Sequence, residues 1–338
     1  MTTYALRHVT YRRPFAVPLR TAKGPWFERE GILLRLVSPD GRAGYGEIAP
    51  LEWFGTESLG EAEAWLQSLR GTVSDRQIEG TPEALRCSRF ALSSARWQIR
   101  EPGPGYDFLN CALLPTGEAA LDAIGPLLEA GFRVFKLKVG VDEVEAELAV
   151  ASALVSILPR GARLRLDGNA RLAEEDLAQW WDHLEGVRPV EFIEQPLAVG
   201  KEARMHELAL ERTLPLALDE SIASVGQLLR VFAQQPWKGP LVIKGSILGS
   251  VEAQRMALGG RGEQVIFSSV FETGIGLHSV LRLARAVGAV APVGFGTLGY
   301  FEDELNGFTH GPALSSAEIE PEILDGIWEA VCSEFVRS

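Results

Sequence analysis

Five charged residues recur through the middle of the chain at nearly even intervals. They are Lys138, Asp167, Glu194, Asp219 and Lys244, separated by 29, 27, 25 and 25 residues. Each lies in or just after a short apolar run: VFKLKVG, RLRLDGN, VEFIEQP, LALDES and VIKGS. Three carboxylates and two ammonium groups gathered in one place can do acid–base chemistry around a cation. Burying an unpaired ion costs several kcal/mol even after relaxation, and three carboxylates together cost more. A divalent cation resolves that conflict. All three donors are oxygens, with no Cys or His among them, so the set favours a hard ion: Mg²⁺ first and Mn²⁺ second. So few protein ligands leave coordination positions for water and substrate oxygens. The lysines would flank the metal from opposite sides. Lys138 also shares a strand face with Lys136, because strand side chains alternate. A lysine beside a second cation and a metal has its pKa lowered, which suits a general base.

The interval between these charges is the length of one strand plus one helix. From about residue 110 short apolar strands alternate with amphipathic helical patterns. The strands are NCALLP, VFKLKVG, ARLRLDGN, VEFIEQP, PLALDES, LVIKGSI, QVIFSSV and PVGFGT. Between them EAALDAIGPLLEAG, DEVEAELAVASALVSIL, LAEEDLAQWWDHL, SVGQLLRVFAQQ and LHSVLRLARAVG repeat apolar residues at three- and four-residue spacing. Alternating strands and helices imply a parallel sheet. Eight such strands fit a closed (β/α) barrel better than an open doubly wound sheet. No GxxxxGK[ST] follows a strand to support the latter, and the single GxGxxG, GFGTLG at 294–299, opens no helical pattern. Barrel strands are covered on both faces and should be apolar throughout. The charges that break this rule stand near the C-terminal strand ends, where such barrels build active sites.

One charge at a strand end is ordinarily a solvated rim residue or a helix cap, and Asp219 alone could be the latter. Five at successive strand ends are not explained that way. Other charges are: Glu61, Glu63, the run Glu174-Glu175-Asp176 and the pair Glu211-Arg212 read as solvated helix faces. The five histidines show no paired metal spacing, and His183 and His206 lie in helical patterns as surface residues.

Residues 1–105 differ from this rhythm. YALRHVTYRR, GILLRLVSPDGRAGYGEIAP, EAEAWLQSL and PEALRCSRFALSSARWQI describe antiparallel strands followed by helices, with a hairpin turn at Asp40-Gly41. The expected division is an α+β capping domain over 1–105, completed by 306–338, and a barrel over 106–305. The 338 residues carry a net charge of −12 and a pI near 5.1. That charge disfavours nucleic acid and anionic membranes as partners. No apolar run approaches membrane-spanning length, and the N-terminus lacks the apolar stretch of a signal peptide. Cys87, Cys111 and Cys332, odd in number and widely spaced, read as reduced core thiols of a cytoplasmic protein.

FKLKVG, LRLDGNAR, EFIEQPL, LALDES and VIKGSILGS, in this order, resemble the enolase superfamily, specifically its muconate-lactonizing subgroup, and the resemblance covers the whole chain. It implies an N-terminal α+β capping domain followed by a modified (β/α)7β barrel. It also implies Mg²⁺ on Asp167, Glu194 and Asp219, with Lys138 and Lys244 as the acid/base pair. The shared half-reaction removes a proton α to a carboxylate to give an enediolate. The subgroup contains o-succinylbenzoate synthesis, cycloisomerisation, dipeptide epimerisation and N-succinylamino acid racemisation. The short chain, LRLDGNAR, and IFSSVFETGIGLHSVLRLA followed by VGFGTLGYF favour the o-succinylbenzoate synthases of menaquinone/phylloquinone biosynthesis. Dipeptide epimerases typically carry Asp-x-Asp at the eighth strand. Here that place reads GFGTLGY, and the first acids after it are Glu302 and Asp303. An N-succinylamino acid racemase or dipeptide epimerase on the same scaffold is the alternative.

The reaction so implied is a syn dehydration of a small-molecule carboxylate, a cyclohexadiene bearing a hydroxyl and a succinyl chain. Lys138 takes the α-proton, and Lys244 acts as a cation on the opposite face. The expected substrate contacts are Lys136 (orienting the carboxylate or tuning Lys138), Arg165, Asn169, Ser268, Ser269 and Gly274. For the two serines, hydrogen bonds internal to their loop are an equal alternative. A lid is expected from the capping domain. Its parts are TAKGPWFEREG (21–31), a loop with Trp26 and Phe27, and PLEWFGTES (50–58), with Trp53 and Phe54; packing between domains is the competing role for each aromatic.

Overall fold

YALRHVTYRR and GILLRLV alternate apolar and polar residues, and they pair as the long strands of an antiparallel sheet. The computed structural model describes residues 2–21, 24–101, 103–234, 237–319 and 321–337. Strand β1 (Thr3–Thr21) pairs with β2 (Gly24–Val37), β2 pairs with β3 (Ala43–Ile48), and β4 (Thr72–Ser74) lies on the other edge of β1. The β2–β3 turn falls at Asp40-Gly41, where Gly41 takes a φ of 86°. Of residues 21–31, expected as a loop, Thr21 and 24–31 belong instead to the strands β1 and β2. Leu19 pairs with Trp26 and Thr21 with Gly24, while Ala22 and Lys23 lie outside the described residues. The register shifts between Pro14 and Leu19, a stretch where Pro14 and Pro18 cannot donate to the ladder.

Helix α1 (Leu59–Ser68) starts from a capping box in which Ser58 and Glu61 satisfy each other's backbone N–H. After α2 (Asp75–Glu79), helix α3 (Arg86–Arg100) lies on β3. The approach is close because Gly44 and Gly46 have no side chain. A Cβ at either would stand 2.1 Å from a carbonyl oxygen of α3, that of Ala95 or of Ala91.

Strand β5 (Asp107–Leu109) leads into the alternating part. It runs β6 (Ala112–Leu113), α4 (Ala119–Glu129), β7 (Val134–Lys138), α5 (Val144–Ile157), β8 (Arg163–Asp167), α6 (Glu174–Leu184), β9 (Val190–Glu194) and α7 (Glu202–Ala209). It continues with β10 (Leu216–Ala217), α8 (Val225–Gln234), β11 (Leu241–Ile243), α9 (Gly245–Leu248), α10 (Val251–Leu258), β12 (Val265–Phe267) and α11 (Gly274–Ala286). Strands β6 to β10 form one parallel sheet, and β11 pairs with β12. Three parallel bridges join these pieces into a ring: Leu218 with Leu241, Ser268 with Gly294, and Asn110 with Val293. Val293 and Gly294 thus supply the eighth strand, and the barrel is closed. The eighth strand is followed by a short 3-10 turn, Gly296–Tyr300, where the first seven are followed by α-helices.

Inside the ring Phe192, Ala217, Val242 and Ile266 form a separate buried cluster. Each precedes a rim residue by two positions on the same face: Glu194, Asp219, Lys244 and Ser268. At the end of the chain β13 (Ala313–Ser315) pairs antiparallel with β5, and α12 (Pro321–Arg337) packs on β1 and α11. The three cysteines are free. Among the described residues no helix is long and apolar enough to cross a membrane.

Candidate active site

Parallel register carries the charged residues to one rim. Lys138 pairs with Asp167, and Asp167 with Glu194. Glu194 pairs with Ala217, so Asp219 stands two residues further up the same face. Lys244 follows β11 directly and reaches Asp219 in a short ion pair. Asp167, Glu194 and Asp219 are each buried. Lys136, one rung below Lys138, bends upward. Its Nζ lies 2.7 Å from Asp167 Oδ2 and 2.7 Å from Glu194 Oε1. Lys136 thus bridges two carboxylates directly beneath Lys138.

Burial and crowding split the titrations of these groups. Burial lowers the pKa of Lys138, with Arg171 and Lys136 adding to the fall and Asp167 opposing it. Burial also acts to lower Lys136, but Asp167, Glu194 and Asp219 outweigh it and hold that lysine well above its ordinary range. Two lysines two residues apart are thus driven in opposite directions. Lys244 is raised likewise, burial being outweighed by Asp219, Glu220 and Glu194. Glu194 is raised by burial and by Asp167 beside it, whereas Asp167 is lowered because Lys136 and the Asn169 N–H overcome its burial. Burial and Asp219 push Glu220 up to about 7.

The loops at the strand ends hold the carboxylates in place. Gly168 must be glycine, since a Cβ would lie 2.8 Å from Pro196 Cα. Asn169, at a φ of 42°, donates its N–H to Asp167 Oδ1 at 3.0 Å and its side-chain amide to Glu220 Oε1 at 3.2 Å. Gln195 is fully buried, and its Oε1 accepts the N–H groups of Asp219 (3.0 Å) and Ser221 (3.2 Å). It thereby fixes where Asp219 points. Nothing in the sequence marks Gln195 except its place directly after Glu194.

Among the described residues no three carboxylates stand together at metal-ligand spacing, because Lys136 lies between two of them and Lys244 holds the third. The donor set nevertheless fits a hard cation. All its oxygens are carboxylate, all are buried, and Asn169 Oδ1 and Glu220 Oε2 beside them are buried without a hydrogen-bond partner.

Several expected contacts take other places. Arg165 is buried inside the barrel wall, bonded through Nε to Glu191 (2.7 Å) and through Nη1 to the Pro292 carbonyl (3.0 Å), with its guanidinium over Phe192. Those partners turn it toward the N-terminal end of the barrel, away from the rim. Ser269 bonds Glu272 and the Phe271 N–H within its own loop, and it accepts the Thr297 hydroxyl from the turn after the eighth strand. Gly274 begins α11, and a Cβ there would stand 2.5 Å from the Asn306 carbonyl oxygen. Ser268 lies at the rim, on the eighth-strand bridge, with its hydroxyl 3.4 Å from the Gly294 carbonyl. A cavity of about 560 Å³ opens at the N-terminal ends of β8 and β9, the far end from the carboxylates.

Aromatic residues crowd the mouth. Phe54, in a short 3-10 turn, places its ring 4.7 Å from Lys244 Nζ. Trp26 meets Trp53, Phe15 and Phe271 edge-on at 5.1, 4.8 and 5.1 Å between ring centres. Phe27, by contrast, is largely exposed.

Two family profiles match the chain: "Enolase C-terminal domain-like" over residues 119–292 and "MenC, N-terminal domain" over residues 9–99. The o-succinylbenzoate synthase of Thermosynechococcus vestitus is 36% identical over 292 residues, covering 85% of this chain and 90% of that one. The o-succinylbenzoate synthase of Pectobacterium atrosepticum is 30% identical, covering 89% and 92%. Among solved structures, o-succinylbenzoate synthase from Thermosynechococcus elongatus BP-1, complexed with Mg in the active site, superimposes with a TM-score of 0.80 at 34% identity, covering 86% of this chain and 92% of that one. The L-Ala-D/L-Glu epimerase from Bacillus subtilis superimposes at 0.79 with 18% identity, covering 93% and 96%, a likeness of fold.

Proposed function

The chain belongs to the o-succinylbenzoate synthase family of the enolase superfamily, and from that membership we infer that it is a magnesium-dependent hydro-lyase forming o-succinylbenzoate. The observation that carries the reading is the row Lys138, Asp167, Glu194 in continuous register, faced by the Asp219–Lys244 pair. Mg²⁺ held by Asp167, Glu194 and Asp219 would draw charge from the substrate carboxylate and so acidify the hydrogen α to it.

Lys138, its pKa lowered, removes that proton as a neutral amine. The carbon–oxygen bond on the same face then breaks, and the hydroxyl leaves as water with the proton that Lys138 returns. The ring becomes aromatic, which supplies driving force, so the protein has mainly to position and stabilise. Lys244, on the opposite face, places its charge against the negative charge that develops. Lys136 keeps Asp167 and Glu194 aligned. Asn169 and Ser268, at the rim, are the side chains best placed to meet the carboxylate and succinyl groups.

One observation weighs against the epimerase alternative. An epimerase needs an acid near the eighth strand for the substrate ammonium, and Asp303 is committed to Arg13 at 2.7 Å. The strongly acidic chain and its free thiols support a cytoplasmic enzyme acting on a small molecule. Incubation with Mg²⁺ and the cyclohexadiene substrate should remove the diene absorbance. Deuterium uptake from solvent into an N-succinylamino acid, without dehydration of the diene, would instead establish the racemase.

A further inference from the structure

Glu47 lies outside the charged ring, on β3, and its side chain is fully buried. Its carboxylate serves helix α11. It accepts the Thr273 N–H at 3.0 Å on each oxygen, the Thr273 hydroxyl at 2.5 Å and the Gly276 N–H at 3.0 Å. The Tyr11 hydroxyl, from β1, donates to it at 2.6 Å. Gly276 must be glycine for this, because a Cβ there would stand 2.7 Å from Glu47 Oε2. The first N–H groups of a helix have no partner within it, and a carboxylate satisfies both them and the helix dipole. The antiparallel sheet thus caps the last helix of the barrel.

The loop entering that cap, 268–273, follows the seventh strand and borders the site. A second buried carboxylate, Glu272, ties it down by accepting the Ser269 hydroxyl and the Val270 N–H, both at 2.7 Å. The Glu272 carbonyl oxygen in turn accepts Arg13 Nη1 at 3.3 Å. Between these anchors Phe271 is held at a φ of 65°, a left-handed conformation that is strained for a bulky residue. In that pose its ring meets Trp26 and Phe15 edge-on, at 5.1 and 5.7 Å, and stacks on Tyr300 at 6.2 Å.

We propose that Glu47 is a positioning residue for the mouth of the site: by capping α11 from the neighbouring sheet it holds loop 268–273 so that Phe271 closes against Trp26 over bound substrate. Strain persists only where the surroundings over-determine it, and here the surroundings come from β1, β3 and α11 together. The identity of the substrate rests on the dehydratase reading; the geometry of the loop does not. A contact that merely stabilised the fold would change unfolding and leave substrate affinity alone.

The test uses Glu47→Gln, Phe271→Ala and the double variant, each checked for folding. The amide of Glu47→Gln keeps the shape but turns N–H donors toward those of Thr273 and Gly276. Backbone hydrogen exchange over 268–276 should quicken by roughly tenfold in Glu47→Gln, as for loss of a capping contact. KM for the diene should rise by roughly tenfold in each single variant, with kcat changing less. The double variant should be little worse than either, because the residues act as one unit. Unchanged exchange over 268–276, unchanged KM beside a lowered melting temperature, or KM effects that multiply in the double variant would each overturn the proposal. Thr273→Val, which removes the hydroxyl bond to Glu47 and the hydroxyl's own cap on the Ile275 N–H but leaves the carboxylate in place, is the milder substitute if Glu47→Gln does not fold. Absence of turnover by the unaltered enzyme would defeat the dehydratase reading, while hydrogen exchange still judges the role of Glu47.

Discussion

Lys136 reaches past its own rung of the barrel to place Nζ 2.7 Å from Glu194, and the same nitrogen lies 2.7 Å from Asp167. Two carboxylates assigned to the metal therefore share one counter-charge. Lys136→Met removes it and leaves both carboxylates buried without that partner. Removing one member of a buried ion pair costs about 3–5 kcal/mol. Thermal unfolding of Lys136→Met without added metal should show a lowered midpoint, and saturating Mg²⁺ should recover much of the loss. An unchanged midpoint in both conditions would show that the bridge carries no stability.

Arg165 belongs to the barrel wall. Arg165→Met should lower stability by roughly 1–3 kcal/mol, since Glu191 keeps Arg163 as a partner at 3.0 Å. KM for the diene should stay within about twofold, as expected for a group that does not touch substrate. A tenfold rise in KM at unchanged stability would return Arg165 to the substrate.

Phe54 covers Lys244, with its ring 4.7 Å from Nζ. A cation over an aromatic face gains about 0.5–2 kcal/mol. Phe54→Ala should therefore lower kcat/KM by roughly 2–30-fold, measured under saturating Mg²⁺, with Mg²⁺ affinity unchanged. A larger fall in Mg²⁺ affinity than in kcat/KM would place Phe54 in the support of the metal site.

His278 shares a 2.8 Å hydrogen bond with the Tyr106 hydroxyl, and burial, with Arg282 nearby, lowers its pKa from 6.5 to about 3. The unfolded chain then takes up a proton at this residue before the folded one does. Stability from the neutral ring is complete above about pH 6.5 and is lost as pH falls toward about 3, at up to about 1.4 kcal/mol per pH unit. Urea unfolding at about pH 7 and about pH 5 should show a smaller pH-dependent loss for His278→Gln than for the unaltered protein. Equal losses would remove His278 from the acid response.

The ring of charges was legible because it breaks a rule: strands covered on both faces should be apolar, and KLK, RLRLD and EFIE are not. The resemblance, not this rule, put Arg165 among the substrate contacts, and the structure holds its guanidinium in the barrel wall on Glu191 and Pro292. Arg163, Arg165 and Asp167 share one face, but only the last of them reaches the rim, and periodicity alone does not say how deep a residue sits. Gln195 and Glu47 were not legible, for a different reason. Both act on backbone N–H groups of distant segments, Asp219 and Ser221 for one, Thr273 and Gly276 for the other. Backbone groups carry no signature in a sequence. The segment around Trp26 read as a loop through its Gly-Pro pair, whereas the long β1–β2 ladder carries strand pairing out to Gly24.

The central claim is that Lys138 is the base of a magnesium-dependent dehydration, and its most direct test is diene consumption by the unaltered enzyme and by Lys138→Arg across pH. Burial lowers the pKa of Lys138 below the usual 10.5. A base must be neutral to accept a proton, so kcat/KM should rise with pH through a value below that of an ordinary lysine. The unaltered enzyme should turn over only with Mg²⁺ present, and Lys138→Arg should lose at least roughly a thousandfold in kcat while still binding Mg²⁺. Near-normal turnover by Lys138→Arg with the same pH profile would contradict the account.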